Sequence, residues 1–290
     1  MHFVEAKGIL SPRNGMNLYR GCLHGCIYCD SRSRCYQINH PFEDIEVKKN
    51  ALELLEKALK SKRQRCMIGT GAMTDPYIPP EMELKMMRQS LELILQYGFG
   101  VAVQTKSDRI LRDIDLLTQI NSRTKAVVQM TLTTHDEALC RILEPNVSIT
   151  KQRVDTLLQF RDAGVPTVVW LSPILPFLND TRENIESILE SCIRAGVKGI
   201  ICFGMGLTLR EGNREYFYQK LDRHFPGLKE EYIRRYGNSY EVNSPDNREL
   251  MKLFHDTCEK HGIMHDIDQV FRYLNTFEEK ETITQMSLFE

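Results

Sequence analysis

Three cysteines fall within eight residues, in the stretch Tyr19-Arg20-Gly21-Cys22-Leu23-His24-Gly25-Cys26-Ile27-Tyr28-Cys29-Asp30. The spacing is C-x3-C-x2-C, so one short loop can bring all three thiolates to one metal centre. Cys22, Cys26 and Cys29 are three ligands with no obvious fourth. A structural zinc site takes four protein ligands in a closed tetrahedron. A four-iron cluster is usually held by cysteine thiolates, and with only three of them one iron stays open to a small molecule. Tyr28 adds a flat surface and backbone groups beside that centre. Two other readings stand beside this one. Zinc could be completed by His24, Cys35 or a distant ligand, and buried free cysteines can act simply as small apolar residues.

Further polar groups recur directly after apolar runs. Cys66-Met67-Ile68-Gly69 reads as a strand that opens into the hydroxyl- and glycine-rich loop Thr70-Gly71-Ala72-Met73-Thr74-Asp75. Gly100–Thr105 is a strand followed at once by Lys106 and Ser107. Ala126–Leu132 is a strand that carries Thr131 near its end and runs into Thr133. Pro166–Leu171 and Lys198–Phe203 complete the series, and Met16–Tyr19 is taken as its first strand.

Between these strands lie helical patterns. Leu52, Leu55 and Leu59 predict a helix over 46–62. A second helix is expected from about 80 to 97, opened by Pro79-Pro80-Glu81 and closed by Gly98. Ser107 or Asp108 caps the helix of Ile110, Ile114 and Leu117, and Asp180 caps one that runs to about Ala195. A helix over 148–163 ends at Gly164. About six strand–loop–helix units imply an α/β fold with a parallel sheet and helices outside. Right-handed crossovers curl such units into a partial (β/α)6 TIM-type barrel. Functional groups then belong on the loops that leave the C-terminal ends of the strands, where every polar cluster named above falls.

The chain has 290 residues and is 42% apolar, which suits one large α/β domain. Its 38 Lys and Arg balance 39 Asp and Glu. That leaves no general electrostatic case for nucleic-acid binding, so such contact would need local patches. Nine cysteines, most of them scattered singly, suit reduced thiols. There is no signal-type start and no apolar run of membrane length, so the expected location is cytoplasmic with no membrane contact.

The cysteine motif resembles the signature of radical S-adenosylmethionine (SAM) enzymes. The resemblance widens with Thr74-Asp75-Pro76-Tyr77, Thr105-Lys106-Ser107, Arg112–Leu117, Leu143-Glu144-Pro145 and Pro173-Ile174-Leu175-Pro176, which occur in that order. Together these segments, spanning about residues 12–205, look like the radical SAM family related to spore photoproduct lyase. The resemblance implies a 4Fe-4S cluster on Cys22, Cys26 and Cys29, with SAM bound at the open iron and cleaved to a 5′-deoxyadenosyl radical that abstracts hydrogen from a substrate. It implies that Tyr28 lies against the adenine, that the Thr70, Gly71 and Asp75 loop receives the polar end of SAM, and that Lys106 pairs with its carboxylate. Thr131 and Thr133 are candidates for the ribose or carboxylate. An electron donor such as flavodoxin or ferredoxin is the expected partner, and nucleic acid is a candidate substrate.

One departure matters. Photoproduct lyases carry a hydrogen-donating cysteine in the loop after the second strand, and Gly71-Ala72-Met73-Thr74 has none. Reversal of thymine dimers is therefore not expected, and the hydrogen donor is not named by the sequence. The competing functions are iron–sulfur electron transfer or sensing, and a zinc-binding interaction protein.

Beyond residue 206 the alternation stops. Residues 1–206 are expected to form the barrel, 207–277 a helical C-terminal extension rich in tyrosine and phenylalanine, and 278–290 a polar tail. That tail ends in Gln285-Met286-Ser287-Leu288-Phe289, which closely resembles the pentapeptide that docks bacterial repair proteins on the sliding clamp. Gln285, Leu288 and Phe289 would make the contacts, and the clamp would supply a route to DNA.

Overall fold

The structure, a computed structural model, describes residues 1–280. The clamp-like residues Gln285, Leu288 and Phe289 lie outside the described residues.

Eleven strands form three sheets among the described residues. In chain order they are β1 (His2–Val4), β2 (Gly15–Met16), β3 (Tyr19–Arg20), β4 (Glu46–Lys48), β5 (Met67–Thr70), β6 (Gly100–Thr105), β7 (Ala126–Thr131), β8 (Thr167–Trp170), β9 (Gly199–Ile201), β10 (Gly206–Thr208) and β11 (Glu241–Asn243). The main sheet runs β2-β5-β6-β7-β8-β9, and every neighbouring pair is parallel. Its middle strands are near-continuous apolar runs, as a parallel sheet covered on both faces requires. All six residues of β7 are buried. The sheet curls without closing, which is the partial barrel that the strand–loop–helix alternation predicts.

Helices α1 (Ala51–Ser61), α3 (Met86–Gln96), α4 (Ile114–Arg123), α6 (Thr150–Asp162) and α7 (Arg182–Ala195) cover the outer face. Their leucines and isoleucines meet alternate strand residues such as Ile68, Val101, Val103, Val128 and Val169 in one core. A short α2 (Glu81–Leu84) precedes α3, and α5 (Glu137–Leu143) precedes α6. The single helix expected over 80–97 is therefore two, divided at Lys85, which adopts a left-handed conformation. Ser107 caps as expected, accepting a hydrogen bond from Arg109 N–H at the start of the turn that leads into α4.

Three expectations fail, two near the N-terminus and one after β8. The segment expected to begin a helix at 46 begins instead with β4, because Val47 is buried between β1 and β3 in a separate three-stranded sheet. Met16–Tyr19 is divided between two sheets, with Met16 pairing in the barrel and Tyr19 against Val47. Asp180 does not cap α7. Thr181 does, accepting from Asn184 N–H at 3.2 Å, while Asp180 accepts from the Ser244 hydroxyl.

The remaining chain wraps the barrel mouth. Helices α8 (Asn213–His224) and α9 (Leu228–Tyr236) stand between β10 and β11, which pair antiparallel. Their aromatic faces enclose Phe217 and Tyr232, and the Tyr232 hydroxyl donates to the Pro176 carbonyl at 2.8 Å. Helix α10 (Asn247–Lys260) packs on α7. Met264 then hydrogen-bonds along β9, and α11 (Ile267–Asn275) places Val270 and Leu274 against Met67, Ala102 and Val168 on the inner face. Glu278, within the expected tail, is held by the Lys125 ammonium. No helix among the described residues is long and apolar enough to cross a membrane.

Candidate functional site

The cysteine loop leaves β3 through Gly21, whose φ of +83° and a Cβ position 2.4 Å from the Phe42 carbonyl oxygen admit no side chain. The Cys22 N–H donates to that same carbonyl at 3.0 Å. Cys22 and Cys26 are buried and Cys29 is half-buried, all three as free thiols. Burial pushes the Cys22 thiol up to about 12, with the charges of Asp75 and Cys29 adding to it. Burial likewise lifts Cys26 well above the ordinary thiol range. Isolated buried thiols in this setting stay neutral, and a cationic centre is what makes such sulfurs thiolates. The His24 N–H points at Cys22 Sγ from 3.5 Å, the kind of donor that supports an anionic sulfur.

Of the ligands proposed to complete a zinc site, Cys35 is exposed with Arg210 Nη1 3.4 Å from its sulfur, and His24 is buried with Nδ1 3.5 Å from the Asp75 carboxylate and Nε2 without a hydrogen-bond partner. Among the described residues, the one histidine, cysteine and carboxylate group whose ligand atoms all lie within 4.8 Å of one another is elsewhere, so the three thiols do not stand at single-ion spacing. Three cysteine sulfurs on one short loop are the donor set of a larger, sulfur-bridged group.

Cys26, Tyr28, Cys29 and Lys106 line one side of a cavity of about 620 Å³. That is within the roughly 300–1,000 Å³ of small-molecule sites. Ala72 and Met73 form part of its edge, and Phe203, Tyr240, Glu241 and Asn243 face the cysteines from beyond β9. Lys106 Nζ stands 5.9 Å over the Tyr28 ring. Desolvation alone would lower the Lys106 pKa, but the charge Cys26 carries once it is ionised, together with the Glu144 and Asp75 carboxylates, outweighs it and holds the ammonium above its usual value.

The other expected residues sit behind this wall. The Asp75 carboxylate is buried and accepts from Tyr77 N–H at 2.9 Å, the Thr105 hydroxyl at 2.8 Å and Lys106 N–H at 2.7 Å. It therefore fixes the backbone that carries Lys106. Gly71 has φ +99°, and a Cβ there would lie 1.9 Å from the Gln104 carbonyl oxygen, so the turn accepts only glycine. Thr70 opens on a second cavity of about 300 Å³ inside the barrel, with Gln104, Gln129 and Trp170. Thr131 and Thr133 are buried, and the Thr133 hydroxyl has no hydrogen-bond partner in the protein. Neither threonine lines the larger cavity.

The sequence reading missed a buried ion pair beneath Tyr28. Glu144 and Arg153 are both fully buried and hydrogen-bonded to each other. Arg153 also donates to the Ser148 carbonyl at 2.7 Å, the Thr131 carbonyl at 2.8 Å and Cys140 Sγ at 3.2 Å. The Tyr28 hydroxyl donates to the other oxygen of Glu144. Burial would raise the Glu144 pKa, but Arg153 and Lys106 reverse this and keep it below its ordinary value. The pair thus fixes the ring that borders the cavity. The segment Leu143-Glu144-Pro145 was a signal of it, without a role attached.

Residues 16–192 match the radical SAM superfamily. The chain is a member of the radical SAM superfamily. Membership implies SAM and an iron–sulfur cluster. An uncharacterized protein of Mycobacterium tuberculosis is 28% identical over 255 residues, covering 86% of this chain and 74% of the relative. An uncharacterized protein of Methanocaldococcus jannaschii is 30% identical over 187 residues, covering 62% of this chain and 69% of the relative. Among solved structures, spore photoproduct lyase complexed with dinucleoside spore photoproduct matches with a TM-score of 0.62 at 15% identity, covering 91% of this chain and 78% of that one. A variant of that lyase with bound AdoMet also matches at a TM-score of 0.62 and 15% identity, covering 87% and 75%. This radical SAM chain therefore shares the fold of spore photoproduct lyase.

Proposed function

We propose that this radical SAM protein is an enzyme that holds a 4Fe-4S cluster on Cys22, Cys26 and Cys29, binds SAM beside it, and abstracts hydrogen from a substrate seated against Phe203 and Tyr240. The observation that carries the reading is a single cavity bordered by Cys26, Cys29, the Tyr28 ring and the Lys106 ammonium. When bound, the cluster and SAM together supply a 5′-deoxyadenosyl radical. The protein's own part is binding, orientation and exclusion of water.

In this reading Lys106 pairs with the carboxylate of SAM, and Asp75 acts through Lys106 by holding its N–H. Tyr28, tied to Glu144, offers the flat face beside the adenine. Thr70 and Gly71 shape the turn rather than touch SAM. Ala72 and Met73 border the cavity without a thiol, so the product radical is quenched by a donor other than a cysteine of this loop.

The opposite wall offers exposed rings to a flat substrate, and we assign it to nucleic acid. Phe203 and Tyr240 are large exposed aromatics. Bases stack on such rings. The test is anaerobic: reconstituted protein, SAM and dithionite, with 5′-deoxyadenosine quantified with and without single-stranded oligonucleotide. Formation of 5′-deoxyadenosine that rises with oligonucleotide supports the reading. An iron-loaded protein that yields none would leave electron transfer or sensing, and colourless zinc-loaded protein would leave the interaction reading.

A further inference from the structure

The loop after the cysteine motif returns to β4 past His40, and three ligand-type side chains meet there. His2 on β1, His40 in the loop and Glu46 on β4 each bring one atom within 4.8 Å of the other two. His2 and Glu46 are register partners in the parallel β1–β4 pair, and all three residues are half-buried.

Their hydrogen bonds decide which nitrogen is free. His40 Nδ1 lies 3.0 Å from the Pro41 carbonyl, which can only accept, so in the neutral ring Nδ1 carries the proton and Nε2 keeps its lone pair. That Nε2 atom is buried with no hydrogen-bond partner, and Glu46 Oε2 is 3.6 Å away. A lone pair therefore faces a carboxylate, an arrangement that calls for a positive charge between them. His2 repeats the pattern, with Nδ1 2.9 Å from Asp44 Oδ2. A carboxylate or backbone carbonyl on one ring nitrogen is the arrangement that orients metal-binding histidines through the other. The two rings lie edge to face, 4.9 Å apart.

We propose that His2, His40 and Glu46 bind one divalent transition-metal ion of the zinc type. Two imidazoles and a carboxylate suit such an ion, whereas magnesium and calcium prefer oxygen alone. Zinc bonds of about 2.0–2.2 Å place tetrahedral ligands roughly 3.4 Å apart, close to the His40–Glu46 separation. The ion joins β1, β4 and the loop whose Phe42 carbonyl accepts from Cys22 N–H, so it braces the cysteine loop from outside. The fourth position is open to water.

The test uses tag-free protein with its cluster reconstituted, so that the three cysteines are occupied, stripped of other metal and titrated with zinc sulfate. Wild type should retain one zinc per chain after gel filtration. His40→Ala and Glu46→Gln should weaken binding by at least about a hundredfold, because loss of a ligand exceeds the roughly 10–100-fold effect of outer-shell changes. Asp44→Asn should fall within that smaller range. Cys35→Ser and Cys66→Ser should bind as wild type, and iron content should be unchanged throughout. Zinc should also slow amide exchange at residues 2–4 and 37–46 in wild type but not in Glu46→Gln. Equal zinc retention by wild type and His40→Ala would overturn the proposal. So would no retention by wild type, the result expected if a proton on His40 balances Glu46, and so would binding that leaves exchange at those segments unaltered.

Discussion

The two walls of the large cavity are built differently. The cysteine wall is backed by buried charge and dense hydrogen bonding: Glu144 with Arg153 beneath Tyr28, and Asp75 with three donors beneath Lys106. The facing wall is made by β10, β11 and the end of β9, and its aromatics stand out in solvent, with Phe203 58% and Tyr240 44% exposed. A cofactor-binding group must be held within a few tenths of an ångström, and only neighbours whose own rotamers are locked can do that. A wall that meets a large or variable substrate gains from adaptable side chains. The contrast teaches that the chain invests its buried polar network where geometry must be fixed and leaves the other face free.

Substitutions on each side test this contrast. The largest effect is expected at the cysteines. Cys22→Ala, Cys26→Ala or Cys29→Ala should abolish iron binding outright, since three ligands leave no redundancy, and elemental analysis after reconstitution checks it. Next comes the support beneath Tyr28. Arg153→Met leaves Glu144 buried and uncompensated, which should destabilise the fold by about 3–5 kcal/mol in denaturant titration. A loss below about 1 kcal/mol would show that the network is not what fixes this wall. Lys106→Ala should spare iron content and weaken SAM binding by about ten- to a hundredfold, from the roughly 1.5–3 kcal/mol of a charged hydrogen bond. The smallest structural effect belongs to the facing wall. Tyr240→Ala should change stability by no more than about 0.5 kcal/mol. It should leave SAM affinity intact and reduce oligonucleotide binding, measured by fluorescence anisotropy. If Tyr240→Ala weakens SAM binding as much as Lys106→Ala does, the walls are not divided in this way.

What could be read from the sequence follows the same division. Cys22, Cys26 and Cys29 were legible because eight consecutive residues carry the chemistry without help from the fold. Lys106 was legible because it ends an apolar run, and strand ends meet at the barrel mouth. Asp75 was expected to reach a ligand, but its turn position gave it Thr105 and two backbone donors instead. Arg153 reads as an ordinary arginine on α6, and only tertiary packing brings it to Glu144 and under Tyr28. β4 was hidden because Glu46-Val47-Lys48 is too short to show a period and leads straight into a helix. β10 and β11 are separated by two helices, so their pairing leaves no local trace. The same holds for His2, His40 and Glu46, which come from three separate segments.

The most direct test of the central claim is electron paramagnetic resonance of the anaerobically reconstituted, dithionite-reduced protein before and after SAM is added. Three cysteine ligands and an adjoining Lys106 predict a four-iron signal that SAM shifts in wild type, with about tenfold or more SAM required in Lys106→Ala. A reduced four-iron signal that SAM leaves unchanged at saturating concentration would contradict the account, because no iron would then be open to the cofactor on the cysteine wall.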